Sequence, residues 1–144
     1  MVAPRYEFLQ HTTDAYIQST GATFEEALEN AGLALFDTMC NLNSISVKQV
    51  DSVEADGADE VALLYDWLET LLLKFELDGK VYSKFHVEPV EVHSSALRIN
   101  AKAFGETYNR QVHGAKVEVK AVTYHRMEVV REEKSVILRF ILDL

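Results

Sequence analysis

Two stretches of this chain place apolar side chains along one side of a helix, and a chain with two such one-sided helices must also supply a surface to cover them. In the first, Phe24, Ala27, Leu28, Ala31, Leu35 and Met39 recur at helical spacing. It opens on a capping box, in which the Thr23 hydroxyl can accept from the Glu26 amide and the Glu26 side chain can reach back to the Thr23 amide. The second starts with Asp59 as its N-cap and presents Val61, Leu64, Tyr65, Leu68, Leu71, Leu72 and Phe75 on one side. It ends at Asp78-Gly79.

Alternation of period two supplies the covering surface. Leu97, Ile99, Ala101 and Ala103 alternate with Arg98, Asn100 and Lys102, and Val136, Leu138, Phe140 and Leu142 alternate with Ile137, Arg139, Ile141 and Asp143. Further strands are expected over residues 6–10 and 15–19, joined by the polar turn His11-Thr12-Thr13-Asp14, and over 46–54. Residues 85–93 read as another, with Pro89 marking an edge or a bulge, and 117–123 and 127–131 complete the set. Residues 105–116 read as a loop.

The order β-β-α-β-α-β-β-β-β-β has too few helical crossovers for an all-parallel sheet. It predicts an α+β fold, a two-layer sandwich in which a mainly antiparallel or mixed β-sheet carries the two amphipathic helices on one face. No internal repeat is visible in the sequence. With 144 residues and 48% hydrophobic content, a single domain over 1–144 is expected.

Charge narrows the function. Fourteen basic residues against twenty-three acidic ones leave a formal charge of -9, a field that repels a phosphate backbone, so direct RNA binding is disfavoured. The opening Met-Val-Ala-Pro-Arg-Tyr-Glu has no apolar run of the signal-peptide kind, and no stretch is long and apolar enough for a membrane span. A soluble, cytoplasmic protein is expected. Cys40 is the only cysteine, which excludes an intramolecular disulfide and reads as a small buried side chain near a helix end rather than a catalytic thiol.

Few residues advertise chemistry. The five histidines show no metal-ligand spacing and have no partner cysteines, and there is no Gly-rich phosphate loop or nucleophile elbow. Asp14 lies in a polar turn, where an aspartate serves equally well to bind backbone amides or to carry a ligand. Asp143 follows an apolar strand; with Leu144 it either concentrates oxygen donors, which suit calcium or magnesium rather than zinc, or belongs to a frayed acidic tail. Lys120, in the middle of an expected strand, reads from pattern alone as part of a solvated face.

Several short stretches together resemble the archease family. His11-Thr12-Thr13-Asp14 is similar to that family's His-Thr-Ala-Asp turn, with Thr13 in place of the usual alanine. The likeness continues through Thr23-Phe24-Glu25-Glu26-Ala27, Ala34-Leu35-Phe36-Asp37, Leu63-Leu64-Tyr65-Asp66-Trp67-Leu68, Ala101-Lys102-Ala103-Phe104-Gly105-Glu106, Val119-Lys120-Ala121-Val122-Thr123-Tyr124-His125 and Ile141-Leu142-Asp143-Leu144. The resemblance implies an accessory protein, not itself an enzyme, that promotes guanylylation and multiple turnover of the RtcB-type RNA-splicing ligase in tRNA splicing. RNA would then be met only through the ligase.

By the same resemblance, Asp14, Asp143 and Leu144 match metal-binding positions for a divalent cation, calcium in the first place, with magnesium or manganese as alternatives. Lys120 matches a lysine tied to activity. Whether His11 or Asp37 joins these residues is left open by the sequence. Two other functions fit the bare residues: a stand-alone metal-dependent hydrolase with His11 or His125 as base, and an acidic chaperone or interaction module.

Overall fold

A computed structural model describes residues 3–11 and 14–144 of the chain. In order, it contains β1 (Tyr6–His11), β2 (Asp14–Gly21), α1 (Phe24–Met39), a 3-10 turn at Leu42–Ser44, β3 (Gln49–Gly57) and α2 (Glu60–Asp78). Then follow β4 (Lys80–Val87), β5 (Glu91–His93), β6 (Ala96–Thr107), the short helix α3 (Arg110–His113), β7 (Ala121–Arg131) and β8 (Val136–Asp143).

The fold is the expected α+β sandwich, and every strand pairing is antiparallel. The strands divide into two sheets: one in the order β1-β2-β8-β7, the other β3-β6-β4 with β5 added to β6. Each sheet turns one face to the core, and on the other face of the first, Ile137 and Ile141 of β8 are buried as well. Ala15 and Ile17 of β2 with Leu138, Phe140 and Leu142 of β8 form the inner face of the first; Val53, Ala55, Ile99, Ala101 and Ala103 form that of the second. Both helices lie against these faces, and their apolar stripes join one core cluster.

The topology is a β-α-β-β unit nested within another. β2 and α1 are completed by the late hairpin β7–β8, while β3, α2, β4 and β6 form the same arrangement in the interval. The sequence reading saw no repeat, because the likeness lies in backbone geometry. Gly21 and Gly57 end their strands three residues before each helix begins. A Cβ on Gly21 would stand 2.4 Å from the Ala27 amide nitrogen, and one on Gly57 would stand 2.4 Å from that of Leu63. Only glycine allows the strand to pass so close to the helix it feeds.

The caps form largely as expected. The Glu26 amide donates to the Thr23 hydroxyl at 3.0 Å and the Ala62 amide to Asp59 at 2.8 Å, and Gly79 ends α2 in the left-handed conformation. The Glu26 carboxylate, expected on the Thr23 amide, instead accepts from Ala22. At the join between the helices, the buried Trp67 indole N–H donates to the Leu28 carbonyl at 2.8 Å.

Four boundaries differ from expectation, the simplest being β3, which runs over Gln49–Gly57 rather than 46–54. The strand expected over 85–93 is two: β4 begins at Lys80 and stops at Val87, β5 starts at Glu91, and the amides of Val87 and Val90 donate to Glu29 and Glu25 of α1 instead of to a neighbouring strand. Pro89, with no N–H, fits this break. The strands expected over 117–123 and 127–131 are the single β7, starting only at Ala121 and interrupted by an irregularity between Thr123 and Glu128, where Arg126 takes φ 57°. The stretch read as loop over 105–116 contains the end of β6 and all of α3.

Candidate functional site

The register of β2 on β8 decides where the acids go. Asp14 stands directly opposite Asp143, so two residues far apart in sequence become cross-strand neighbours with side chains on the same face. Ala15 and Leu142, the next pair, are buried in the core, which puts Asp14 and Asp143 on the outer face of the sheet. Asp14 is half-buried and Asp143 exposed. The frayed tail that the sequence allowed is not seen: β8 runs through Asp143, and Leu144 packs against the core.

Lys120 arrives from the other side. It lies just ahead of β7, not within a strand as the sequence suggested, and its amide donates to the Asp143 carbonyl at 2.7 Å. Asp14, Asp143 and the Lys120 backbone thus meet at one end of the sheet. Two carboxylates directly opposite each other repel, which leaves a place that a cation would stabilise. Further along this face Arg126 lies over the Tyr16 ring, and Arg139 binds Gln18 and Glu128, each at 2.8 Å. Those cations serve other groups.

Beneath, on the helix side, Leu144 and Ala15 line a cavity of about 210 Å³ with Phe8, Asp37, Thr38, Lys116 and Val117. Asp37 therefore sits across the sheet from the outer acids. It accepts from the Tyr6 hydroxyl at 2.9 Å and from Lys116 Nζ at 2.8 Å. Burial first, and this bond second, push the Tyr6 phenol up to about 12. Asp37 is thus a structural anchor on the far face.

Lys116 was missed in the sequence because it falls in a stretch that reads as loop. It ties that stretch to the end of α1: its amide donates to the Met39 carbonyl at 2.9 Å and its Nζ to the Asp37 carbonyl at 3.0 Å. One signal pointed to it. The last turn of α1 has no basic residue, and a helix end rich in free carbonyls attracts a cation from elsewhere.

Other sequence expectations lie apart from these acids or outside the described residues. Thr12 and Thr13 of the expected polar turn, and the His11 side chain, lie outside them. His125 is exposed on β7, and its amide donates to Thr123. Cys40 is buried at the end of α1, and burial pushes its thiol up to about 11. Among the described residues no three His, Cys, Asp or Glu side chains gather around one point. Among the described residues no helix is long and apolar enough to cross a membrane.

Residues 6–144 match the model of the Archease protein family (MTH1598/TM1083). The protein archease of Sulfolobus acidocaldarius is 37% identical over 140 residues, covering 97% of this chain and 99% of its own. That of Pyrococcus abyssi is 40% identical over 125 residues, 87% of each chain. The solution structure of Methanobacterium thermoautotrophicum protein 1598 superposes with a TM-score of 0.82 at 34% identity, over 97% of this chain and 99% of that one. An archease from Thermotoga maritima, described as a possible chaperone, shares the fold with a TM-score of 0.60 at 17% identity, over 100% of this chain and 98% of that one. A family match across nearly the whole length, with relatives well above 30% identity, makes this chain a member of the archease family.

Proposed function

We propose that this protein activates an RtcB-type RNA-splicing ligase in tRNA splicing, promoting guanylylation of the ligase and its multiple turnover. The observation that carries the proposal is the pairing of Asp14 with Asp143, with the Lys120 amide bound to the Asp143 backbone. The positions that the archease resemblance groups together are brought to one end of one sheet.

The donor set fits a hard divalent cation, calcium first. Asp14 and Asp143 supply carboxylate oxygens, and Leu144 supplies a main-chain oxygen. Calcium is held by about six to eight oxygens, more than Asp14, Asp143 and Leu144 would supply, so these residues would leave the ion open to groups on a partner. When bound, such an ion offsets charge on phosphate oxygens. The chain's own residues would hold it at an exposed edge, and Lys120, whose backbone is fixed on Asp143, would add its positive charge to the stabilisation of phosphate oxygens. The formal charge of -9 favours encounter with a basic ligase surface over free RNA. The role is that of an accessory factor in the cytoplasm, with RNA reached through the ligase.

The test follows guanylylation of the ligase with this protein added. Wild-type protein is expected to accelerate it and to support many ligations per ligase, while Asp14→Ala, Asp143→Ala and Lys120→Ala are expected to lose most of that effect. Full stimulation by folded Asp143→Ala protein would overturn the proposal. Turnover of a phosphoester by this protein without ligase would point to a hydrolase instead.

A further inference from the structure

Lys120 ends an irregular segment, residues 114–120, in which 114–118 are all exposed. Such a segment holds a side chain in place only if it is anchored, and each anchor can be named. Tyr108 donates its hydroxyl to the Gly114 carbonyl at 2.6 Å, Lys116 binds the end of α1, Val119 is buried, and the Lys120 amide binds Asp143. At the head of the segment stands His113, 1% exposed and far from any role in the proposed site.

Both ring nitrogens of His113 are engaged. Nδ1 faces the Asn109 amide at 2.9 Å and so must accept, which leaves the proton on Nε2, 2.8 Å from the Glu106 carboxylate. Glu106 also accepts from the Ser46 amide at 2.9 Å and lies 3.5 Å from Lys48. The His113 carbonyl accepts from the Asn41 amide at 2.8 Å, and the Tyr108 ring stacks on the imidazole. One buried residue thus joins the end of β6, the link after α1 and the start of the segment that leads to Lys120.

We propose that His113 is a positioning residue for Lys120: its bond to Glu106 anchors the 114–120 segment and thereby sets where Lys120 meets the end of β8. The inference rests on the reading of Lys120 as an active group, but its first test does not involve the ligase. Neither sheet depends on this bond for its ladder, so its loss should loosen the segment and leave β2 and β8 intact.

The experiment measures amide hydrogen exchange residue by residue in His113→Ala and His113→Gln proteins, followed by ligase guanylylation. Removing this hydrogen bond to a charged group should speed exchange at Lys116 and Lys120 by about tenfold or more. The amides of Ile17 and Phe140 should stay as protected as before. Stimulation of the ligase should fall in parallel. His113→Gln, whose amide can donate to Glu106, should restore slow exchange and most of the stimulation. Unchanged exchange at Lys120 in His113→Ala would overturn the inference, as would a folded His113→Gln protein that behaves like the alanine variant. If His113→Ala does not fold, Glu106→Gln, which weakens the same bond, is measured instead: faster exchange at Lys120 supports the inference and unchanged exchange overturns it. Failure of the wild-type protein to stimulate the ligase would count against the proposed function alone.

Discussion

The two nested halves share a frame and differ at its far end. Gly21 pairs with Val136 in the first half and Gly57 with Leu97 in the second. Seven residues along from those pairs stand Asp14 and Asp143 in one sheet, and Val50 and Phe104 in the other. The first pair is acidic and receives the Lys120 amide. The second is apolar, and Lys84 lies over the Phe104 ring at 5.1 Å. Equivalent backbone therefore carries an oxygen-rich corner once and a cation–π contact once. Packing in the shared frame accounts for the fold, and the two sheets differ in which side chains occupy one pair of positions.

The sharpest asymmetry within the frame lies between the helices. Ten residues beyond each glycine, α2 has Trp67 where α1 has Ala31. Trp67 is fully buried, and its indole N–H reaches the Leu28 carbonyl of α1, so it joins the two halves. Trp67→Ala should lower stability by about 4 kcal/mol through the cavity it leaves, with the lost indole hydrogen bond to the Leu28 carbonyl adding a little more. Chemical denaturation at neutral pH checks this, and a loss below about 1 kcal/mol would mean that the halves are held together elsewhere.

If the halves are equivalent at their strand-to-helix turns, Gly21→Ala and Gly57→Ala should cost similar amounts. In both, the new Cβ meets backbone rather than a flexible side chain, so the helix start must move, at a cost of about 2 to 3 kcal/mol. Thermal and urea unfolding of the two variants side by side would break the comparison if one proved neutral and the other severe.

How far this was legible in the sequence follows the same division. Both helices, their caps, and the strands β6 and β8 announced themselves, because each buries a regular stripe and period alone finds it. β3 was placed three residues too early, since its valines at 47, 50 and 53 fit neither period. Pro89 reads as an edge or a bulge, and the expected strands leave a gap at 124–126. That Pro89 divides two strands, and that the pieces on either side of the gap form one strand starting at Ala121, escaped because the resolving contacts come from elsewhere: Glu25 and Glu29 on α1, and the pairing with β8. As for the site, Asp14 and Asp143 were identified by family resemblance, while only register could show that they face each other. Lys116, Glu106 and His113 carry no periodic signal, and their roles exist only in the assembled fold.

The second half keeps a half-buried acid of its own at Glu106, whose side chain is 13% exposed. The Ser46 amide first, and then the His113 ring, hold its carboxyl down at about 2, against an ordinary value of 4.5. Because the folded state lowers this value, its contribution is present above about pH 4.5 and is lost as the pH falls toward 2. Urea midpoints for wild type should therefore drop across that window, and Glu106→Gln should show a shallower drop from a lower starting point. An identical acid slope in both proteins would assign the loss to other carboxylates.

The smallest expected effect bears most directly on the difference between the halves. With a chelator present, Asp14 and Asp143 are like charges directly across a strand pair, an arrangement that costs roughly 0.2–1 kcal/mol. Asp143→Asn should therefore raise stability by about 0.5 kcal/mol in metal-free buffer. Calcium should reverse the order, raising the melting temperature of the wild type and leaving the variant nearly unmoved, because a ligand that binds only the folded state stabilises it in proportion to its occupancy. Val50→Thr, at the matching place in the other sheet, should respond to calcium as the wild type does. If Asp143→Asn instead destabilised the metal-free protein and kept the full calcium response, the acid pair would be a structural feature of the outer face and not the cation site that distinguishes the first half from the second.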